Sequence, residues 1–538
     1  MNRNPIEIFD TTLRDGTQGE GVTLSVKDKV RIAIRLDEFG MDFIEGGWPG
    51  SNPKDESFFK EIRKEKLHHS RICAFGSTAR FPDKVLSDAN LNLMLAAETS
   101  VVSIFGKAWK LHSELGLELD ASENETLIYE SIQYLKSEGR HVIFDAEHFF
   151  DGYKDDPEFA LQMVKAAGKA EADTIVLCDT NGGSLPSEIS DIVHVVKKKI
   201  SAPLGVHAHN DSELAVSNTI AAVEAGVSHV QGTINGVGER CGNANLISII
   251  PNMILKLGLK TVQKIDLTQL SSISHFVSEV MNFASDQRAA YVGRSAFAHK
   301  GGIHVSAVLK NSTMYEHIEP EIVGAQRRVL VSDLSGQSNI RYKASELDVR
   351  LNGDKTLTKK VVNRIKALEH AGYQFDGAEA SFELILQEEL GAFQPFFDVL
   401  DSRINVNYGE NGHKHADAML KVIVDGEVEH TIADGVGPVN ALNLALKKAL
   451  VRFYPEIKDV KLVDYKVRVL EERAGTESKV RVLAESSDGK ESWSTVGVSE
   501  NIIEASWQAL RDSFNYRLYI KKKKNAHSRK VKGLAKPY

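Results

Sequence analysis

Along the first half of the chain, short apolar runs alternate with longer segments whose apolar residues recur every three or four positions. The short runs are IEIFD (6–10), DFIEGG (42–47), RICAFGS (71–77), SVVSIFG (100–106), HVIFDAE (141–147), TIVLCDT (174–180), PLGVHAH (203–209) and HVQGTING (229–236). They read as strands, and intervening segments such as SVKDKVRIAIRLDEFG and PEFALQMVKAAGKAEA read as helices. Strands alternating with helices predict a parallel sheet with right-handed crossovers. Eight such units within about 260 residues predict an α/β chain with a (β/α)8 TIM barrel over residues 1–275 rather than an open sheet.

Past the barrel the rhythm turns helical. LTQLSSISHFVSEVMNFASDQ and TLTKKVVNRIKALEHAGYQF carry helical spacing, and between them lies the loop-rich stretch YVGRSAFAHKGGIHVSAVLKNSTMYEHIEPEIVG. Residues 276–390 are therefore expected to form a mostly helical linker region, with a long loop of the kind that often carries function. From 391 to 520 an internal repeat is visible. LKVIVDGEVEHTIADGVGPVNALNLALKKAL and VRVLAESSDGKESWSTVGVSENIIEASWQAL both read strand, Asp-Gly turn, strand, glycine-containing loop, helix. Two such copies predict an α+β domain with pseudo-twofold symmetry. The last segment, 521–538, is basic and without periodicity and is expected to be a disordered tail.

Composition narrows the partners. With 42% hydrophobic and 26% charged residues the chain is an ordinary globular one, and a net charge of −8 argues against nucleic acid and membrane surfaces. Cys73, Cys178 and Cys241 have neither disulfide-framework nor zinc-thiolate spacing, and the opening MNRNPIEIFD lacks a secretory pattern. A cytoplasmic protein acting on small molecules is the expectation.

Active sites of such barrels are built at the C-terminal ends of the strands. The first strand ends in FDTTLRDGTQ, bringing Asp10, Arg14 and Asp15; the second ends at Glu45; the fifth brings Asp145, Glu147 and His148; the sixth brings Asp179 and Thr180. The seventh ends in HAHND. Strand residues two apart point the same way, so His207 and His209 project together. Asp15, from a strand close by in a closed barrel, offers a hard oxygen, and Asn243 in NGVGERCGNANL can add a carbonyl oxygen. Two imidazoles with one carboxylate suit a divalent cation that keeps positions open for substrate. A buried polar network under the barrel rim is the competing account. In the same loop, Gly236, Gly238 and Gly242 do not match dinucleotide-binding spacing and fit a tight turn or a close approach to a ligand.

DTTLRDGTQ, HAHND and GVGERCGNANL together resemble the family of 2-isopropylmalate, homocitrate and citramalate synthases. AFAHKGGIHVSAV followed by MYEHIEPEIVG is similar to the segment that follows the barrel in that family, and the repeat with DGVGPVNAL to its allosteric dimerisation domain. The resemblance implies condensation of acetyl-CoA with a 2-oxo acid in a homodimer. EGGWPGSNPKD and DAEHFFDGY most resemble the citramalate-forming branch, which implies pyruvate as the acceptor, the first step of a threonine-independent route to isoleucine, and isoleucine as an effector of the C-terminal domain.

Carried over by position, the resemblance implies a metal ion (Mn, Mg or Zn) held by Asp15, His207, His209 and Asn243, with Arg14 beside the oxo acid and Thr180 on its carboxylate. It implies Glu147 near the thioester, and His304 and Tyr315 reaching a partner subunit's barrel, His304 as the proton-abstracting base. Ser306 departs from relatives that carry an acidic residue there. The alternatives weighed are a 2-isopropylmalate synthase using 2-oxoisovalerate, an acyl-CoA lyase, a biotin-dependent carboxyltransferase without its carrier, and a catalytically silent amino-acid sensor.

Overall fold

The computed structural model describes residues 5–534 apart from 348, 350, 352–353, 409–413 and 471–477. The chain divides into two compact units. One runs to Phe297 and takes back Ile318–Gln326; the other holds Ala298–His317 and the chain from Arg327 onward.

The first unit is a closed parallel barrel, its eight strands in sequence order: β1 (Glu7–Asp10), β2 (Phe43–Gly47), β3 (Arg71–Ser77), β4 (Val101–Lys107), β5 (His141–Glu147), β6 (Thr174–Asp179), β7 (Leu204–Ala208) and β8 (His229–Gly232). β8 closes the ring on β1, with Glu7 opposite His229 and Asp10 opposite Gly232. All eight predicted runs are strands. The eighth is shorter than its apolar run, because Asn235 adopts a left-handed φ of 62° and turns the chain before Gly236.

Alternation along the strands sorts the two faces. Phe9, Phe43, Cys73, Val101, Ile143 and Val176 fill the barrel interior, while Ile8, Ile44, Ala74, Val102, Phe144 and Ile175 meet the surrounding helices. Those helices start on local chemistry. Ser25 and Asp28 form a reciprocal cap on Val26–Phe39, which Gly40 ends with a φ of 98°, and Asp120 with Glu123 caps Ala121–Ser137.

The unit extends beyond the expected limit at 275. In the helix Leu270–Val280, Leu270, Ile273 and Val277 have the three- and four-residue spacing of one helix face, and that face joins the barrel's own core. Tyr291, Val292, Phe297 and, from the returning segment, Val323 join the same core.

In the second unit a short parallel pair, β9 (Ala298–His299) and β10 (Arg328–Val329), accompanies the helices Gly302–Val308, Gln337–Glu346, Lys355–His370 and Glu379–Glu389. Two three-stranded antiparallel sheets follow: β11 (Asp398–Tyr408), β12 (Lys414–Val424) and β13 (Glu427–Gly435), then β14 (Lys461–Val469), β15 (Val480–Ser487) and β16 (Ser492–Ser499). Each sheet has its helix, Pro438–Val451 and Ile502–Leu534. The repeat therefore contains one more strand per copy than the sequence pattern predicts. The basic end also differs from expectation, being helical as far as Leu534. Lysine is a good helix former, and Lys521 pairs with Glu456 while Lys523 bonds the Leu347 carbonyl.

Candidate active site

His207 stands on β7 and His209 directly after it, so the period of the strand sends both rings to the inside, where both are buried. Their Nε2 atoms lie 3.4 Å apart. Asp15 opens the short turn Asp15–Gln18 that follows β1, and its Oδ2 sits 3.3 Å from His207 Nε2 and 3.8 Å from His209 Nε2. One ligand atom from each of Asp15, His207 and His209 falls within 4.8 Å of the others, and all three residues are buried.

Asn243 reaches the same point from the loop after β8. That loop folds back on β7: Ala244 N–H donates to Ala208 O, Asn210 N–H to Gly242 O and Asn243 N–H to Gly236 O. Asn243 Nδ2 donates to Asp15 Oδ2 at 3.0 Å and lies 3.2 Å from His207 Nε2, while its Oδ1 is buried without a partner. A side chain on Gly238 would collide with that Oδ1. The glycine thus serves the packing of Asn243, and the tight-turn account of the loop holds here.

The orientation of His207 is set from behind. Its Nδ1 faces Gln231 Oε1 at 2.9 Å, Gln231 Nε2 donates to Asp145 Oδ1 at 3.0 Å, and Ser103 Oγ donates to Asp145 Oδ2 at 2.8 Å. A glutamine whose amide donates to a carboxylate must present its carbonyl oxygen to the ring. His207 therefore carries a proton on Nδ1, which leaves Nε2 as the nitrogen facing the cluster, donating to Asp15 when protonated and offering a lone pair when not. Sequence reading assigned no role to Gln231. The signal available was polarity at alternate positions of HVQGT, which puts His229 and Gln231 on the inner face.

Charges follow the same geometry. Burial pushes the Asp15 carboxyl up, but Arg14 and His207 outweigh it and hold it well below the usual carboxylate range. Burial and the neighbouring His207 lower the His209 imidazole to about 4, so it is neutral at pH 7, as a ligand must be. Burial lowers His207 too, yet the hydrogen bond to Asp15 leaves it raised overall. Buried Asp10, which accepts from Thr12, is pushed up to about 7 by its loss of solvent. Asp15 Oδ1, His209 Nδ1 and Asn243 Oδ1 are all buried without a hydrogen-bond partner among the described residues. The convergence of Asp15 Oδ2 with the Nε2 atoms of His207 and His209 fits a divalent cation, to which Asn243 would add its unpartnered Oδ1 once its amide is turned about.

Around the cluster lies a cavity of about 220 Å³, lined by Arg14, Glu147 and Thr180 as well as Asp15, His207 and His209. Arg14 is fixed by Glu45, which accepts from its Nε at 2.6 Å, and by Phe75, whose ring centre lies 3.8 Å from its Cζ. Glu147 is paired with Lys107. Thr180 Oγ1 accepts from His148 N–H at 2.9 Å, which leaves its hydroxyl proton free to donate into the cavity. Trp48, Phe75 and Phe105 supply an aromatic wall. His304 and Tyr315 lie in the second unit, where their tilted rings meet with centres 4.4 Å apart. The barrel thus gathers seven of the nine candidate residues at one place, and the other two form a pair of their own.

Comparison with known proteins matches this architecture part by part. The HMGL-like family model covers residues 5–277, the homocitrate synthase post-HMGL domain-like model 291–372, and the LeuA allosteric (dimerisation) domain model 376–518. The chain is 53% identical over 518 residues to an (R)-citramalate synthase of Geobacter sulfurreducens, covering 96% of this chain and 98% of that one. It is 51% identical to an (R)-citramalate synthase of Aquifex aeolicus, covering 95% and 98% of the two chains. A 2-isopropylmalate synthase of Methanocaldococcus jannaschii is 33% identical, covering 95% and 94%.

Proposed function

This chain belongs to the (R)-citramalate synthase family, and on that premise we propose that it condenses acetyl-CoA with pyruvate and hydrolyses the thioester, giving (R)-citramalate and CoA. It is an acyltransferase-type condensing enzyme. The observation that carries the reading is the convergence of Asp15, His207 and His209 beside Arg14 in one small cavity.

Asp15, His207, His209 and Asn243 would hold a divalent ion, Mn, Mg or Zn, which when bound acts as a Lewis acid on a 2-oxo acid. Arg14, always protonated and unable to swing because Glu45 and Phe75 brace it, supplies fixed positive charge where negative charge grows on the keto oxygen. Thr180 donates to the oxo acid's carboxylate. A base takes a proton from the acetyl methyl, the carbanion adds to the keto carbon, and water then cleaves the thioester to release CoA. We assign the base to His304 with Tyr315 beside it, contributed by the second subunit of a homodimer, and place Glu147 near the thioester. Changing His304 to alanine should lower turnover while metal affinity stays at the wild-type value.

The LeuA allosteric (dimerisation) domain match supports a homodimer under allosteric control, and we assign isoleucine, the end product of the route that citramalate opens, as its effector. No helix among the described residues is long and apolar enough to cross a membrane, and Cys73 and Cys178 are buried free thiols, which supports a cytoplasmic setting. The lower identity to a 2-isopropylmalate synthase ranks that activity second.

Release of free CoA thiol from acetyl-CoA tests the reading directly. Pyruvate, 2-oxobutyrate, 2-oxoisovalerate and 2-oxoglutarate are offered separately with Mn(II) or Mg(II), with a chelator control. Chelator-sensitive release fastest with pyruvate, and product of citramalate mass, is the expected result. Faster release with 2-oxoisovalerate would overturn the choice of substrate, and release with none of the four would overturn the condensation itself.

A further inference from the structure

Among the described residues, the apolar side chains that line the cavity are Trp48, Phe75, Phe105 and Cys178; everything else there is polar or charged. The three rings come from the ends of neighbouring strands β2, β3 and β4. Phe75 and Phe105 stack with ring centres 5.5 Å apart, and Trp48 stands edge-on to both at 5.7 Å. An oxo acid that turns its two oxygen-bearing carbons to Arg14, Thr180 and the Asp15 cluster must direct its remaining substituent at this wall.

Trp48 is the member of the wall held from outside it. Its indole N–H donates to Asn90 Oδ1 at 2.7 Å, and Asn90 cannot turn away because its own Nδ2 donates to Ser77 O at 2.8 Å. At the other end, Trp48 backbone N–H donates to Asp55 Oδ2 at 3.0 Å. The Asp55 carboxylate occupies the place a side chain would take on Gly47, whose φ is 144°, and it is paired with Lys29, a lysine only 1% exposed. A buried lysine whose partner carboxylate bonds the backbone of an active-site tryptophan is a costly arrangement.

We propose that Trp48 sets the upper size of the 2-oxo acid, and that Asn90 and the Asp55–Lys29 pair are positioning residues that hold its indole across the pocket. The proposal rests on the reading of this cavity as a 2-oxo acid site. On this proposal a methyl group would be accommodated in front of the indole, whereas an ethyl or isopropyl group would need part of its volume. One added methylene against an apolar wall changes discrimination by roughly 10- to 200-fold, so moving a single ring is enough.

The test compares kcat/KM for pyruvate and 2-oxobutyrate in wild type, Trp48→Ala, Trp48→Leu, Trp48→Phe, Asn90→Leu and the double variant Trp48→Phe/Asn90→Leu. Trp48→Ala should raise the 2-oxobutyrate to pyruvate ratio at least about tenfold, and Trp48→Leu gives the same reading if the alanine variant does not fold. Asn90→Leu should raise it by a smaller factor, on the order of threefold, as expected for one lost hydrogen bond. Because Trp48→Phe removes the donor that Asn90 serves, Asn90→Leu should add nothing in that background. An unchanged ratio in the alanine and leucine variants, with wild type active on pyruvate, overturns the wall while leaving the condensation intact. A full Asn90→Leu effect in the Trp48→Phe background overturns the positioning role. A wild type that releases no CoA with any oxo acid overturns the function on which both stand.

Discussion

At the N-terminal end of the barrel, His229 lies between Phe9 and Phe43, with ring centres at 5.4 and 5.7 Å, and its Nδ1 is 3.2 Å from Glu7 Oε2. His141 stacks on Phe43 and faces Asp173, which Lys136 also pairs. At the C-terminal end, His207 and His209 face a single carboxylate, Asp15. Burial does not separate His229 from His207 and His209, although His141 is only half-buried, nor do unsatisfied atoms, since His141 and His229 each bury an Nε2 without a partner just as His209 buries its Nδ1. What separates them is the ratio of imidazoles to carboxylates. Where each ring has its own acid and an aromatic neighbour, the pair is a strut. Where two rings share one acid, the arrangement is that of a candidate cation site, which is how we read it.

Substitutions at the two ends should therefore give opposite signatures. Replacing Asp15 or His207 with alanine should abolish CoA release and weaken Mn(II) binding by more than about 100-fold, beyond what loss of an outer partner costs; metal titration checks it, and wild-type affinity in both would dissolve the distinction. Arg14→Ala should keep the metal and lose roughly 10²–10³ in kcat, as for an oxyanion donor, which steady-state kinetics at saturating metal would show. Gln231→Leu, which removes the partner of His207 Nδ1, should weaken the metal by about 10- to 100-fold while turnover at saturating metal largely returns.

At the other end, His229→Ala should lower unfolding free energy by about 1–3 kcal/mol with metal affinity unaltered, read by denaturant unfolding beside the same titration. The smallest effect concerns acid. Burial pushes the Glu7 carboxyl up, but the hydrogen bond and charge of His229 hold it below its ordinary value of 4.5. A depressed carboxyl contributes stability that is present above that value and is lost as pH falls through the folded-state value. Glu7→Gln should flatten this part of the acid limb, and an unchanged limb would remove the strut from the account.

Much of this was legible in the chain, for physical reasons that differ by element. The eight strands could be read because each is buried on a helix-facing side and carries a dense apolar run. His207 and His209 could be read because a period of two leaves no choice of face. β11 and β14 do not show in the sequence because, among the described residues, neither buries a side chain: Lys461, Lys466 and Arg468 on β14 are exposed, and its apolar residues stay at least partly open. The helix through Leu534 does not show in the sequence because its run of like charge reads as a solvated tail, while the helix propensity of lysine leaves no apolar period to mark it. Lys29 and Asp55 lie 26 residues apart on different helices, and neither local pattern announces that the other will be buried beside it.

The chain's return to the barrel has a consequence for inheritance. Ile318–Gln326 belongs to the first unit, where Val323 enters the barrel core and Ser271 Oγ donates to its carbonyl. A recombination event that exchanged genes at residue 297 would hand on a barrel lacking part of its own packing. The earliest single crossover that transfers the barrel whole lies after residue 326, and it necessarily carries Ala298–His317, with His304 and Tyr315, along with it. The Asp15–His207–His209 cluster and the histidine–tyrosine pair, though they lie in separate units, therefore travel together in any single crossover that passes the barrel on whole.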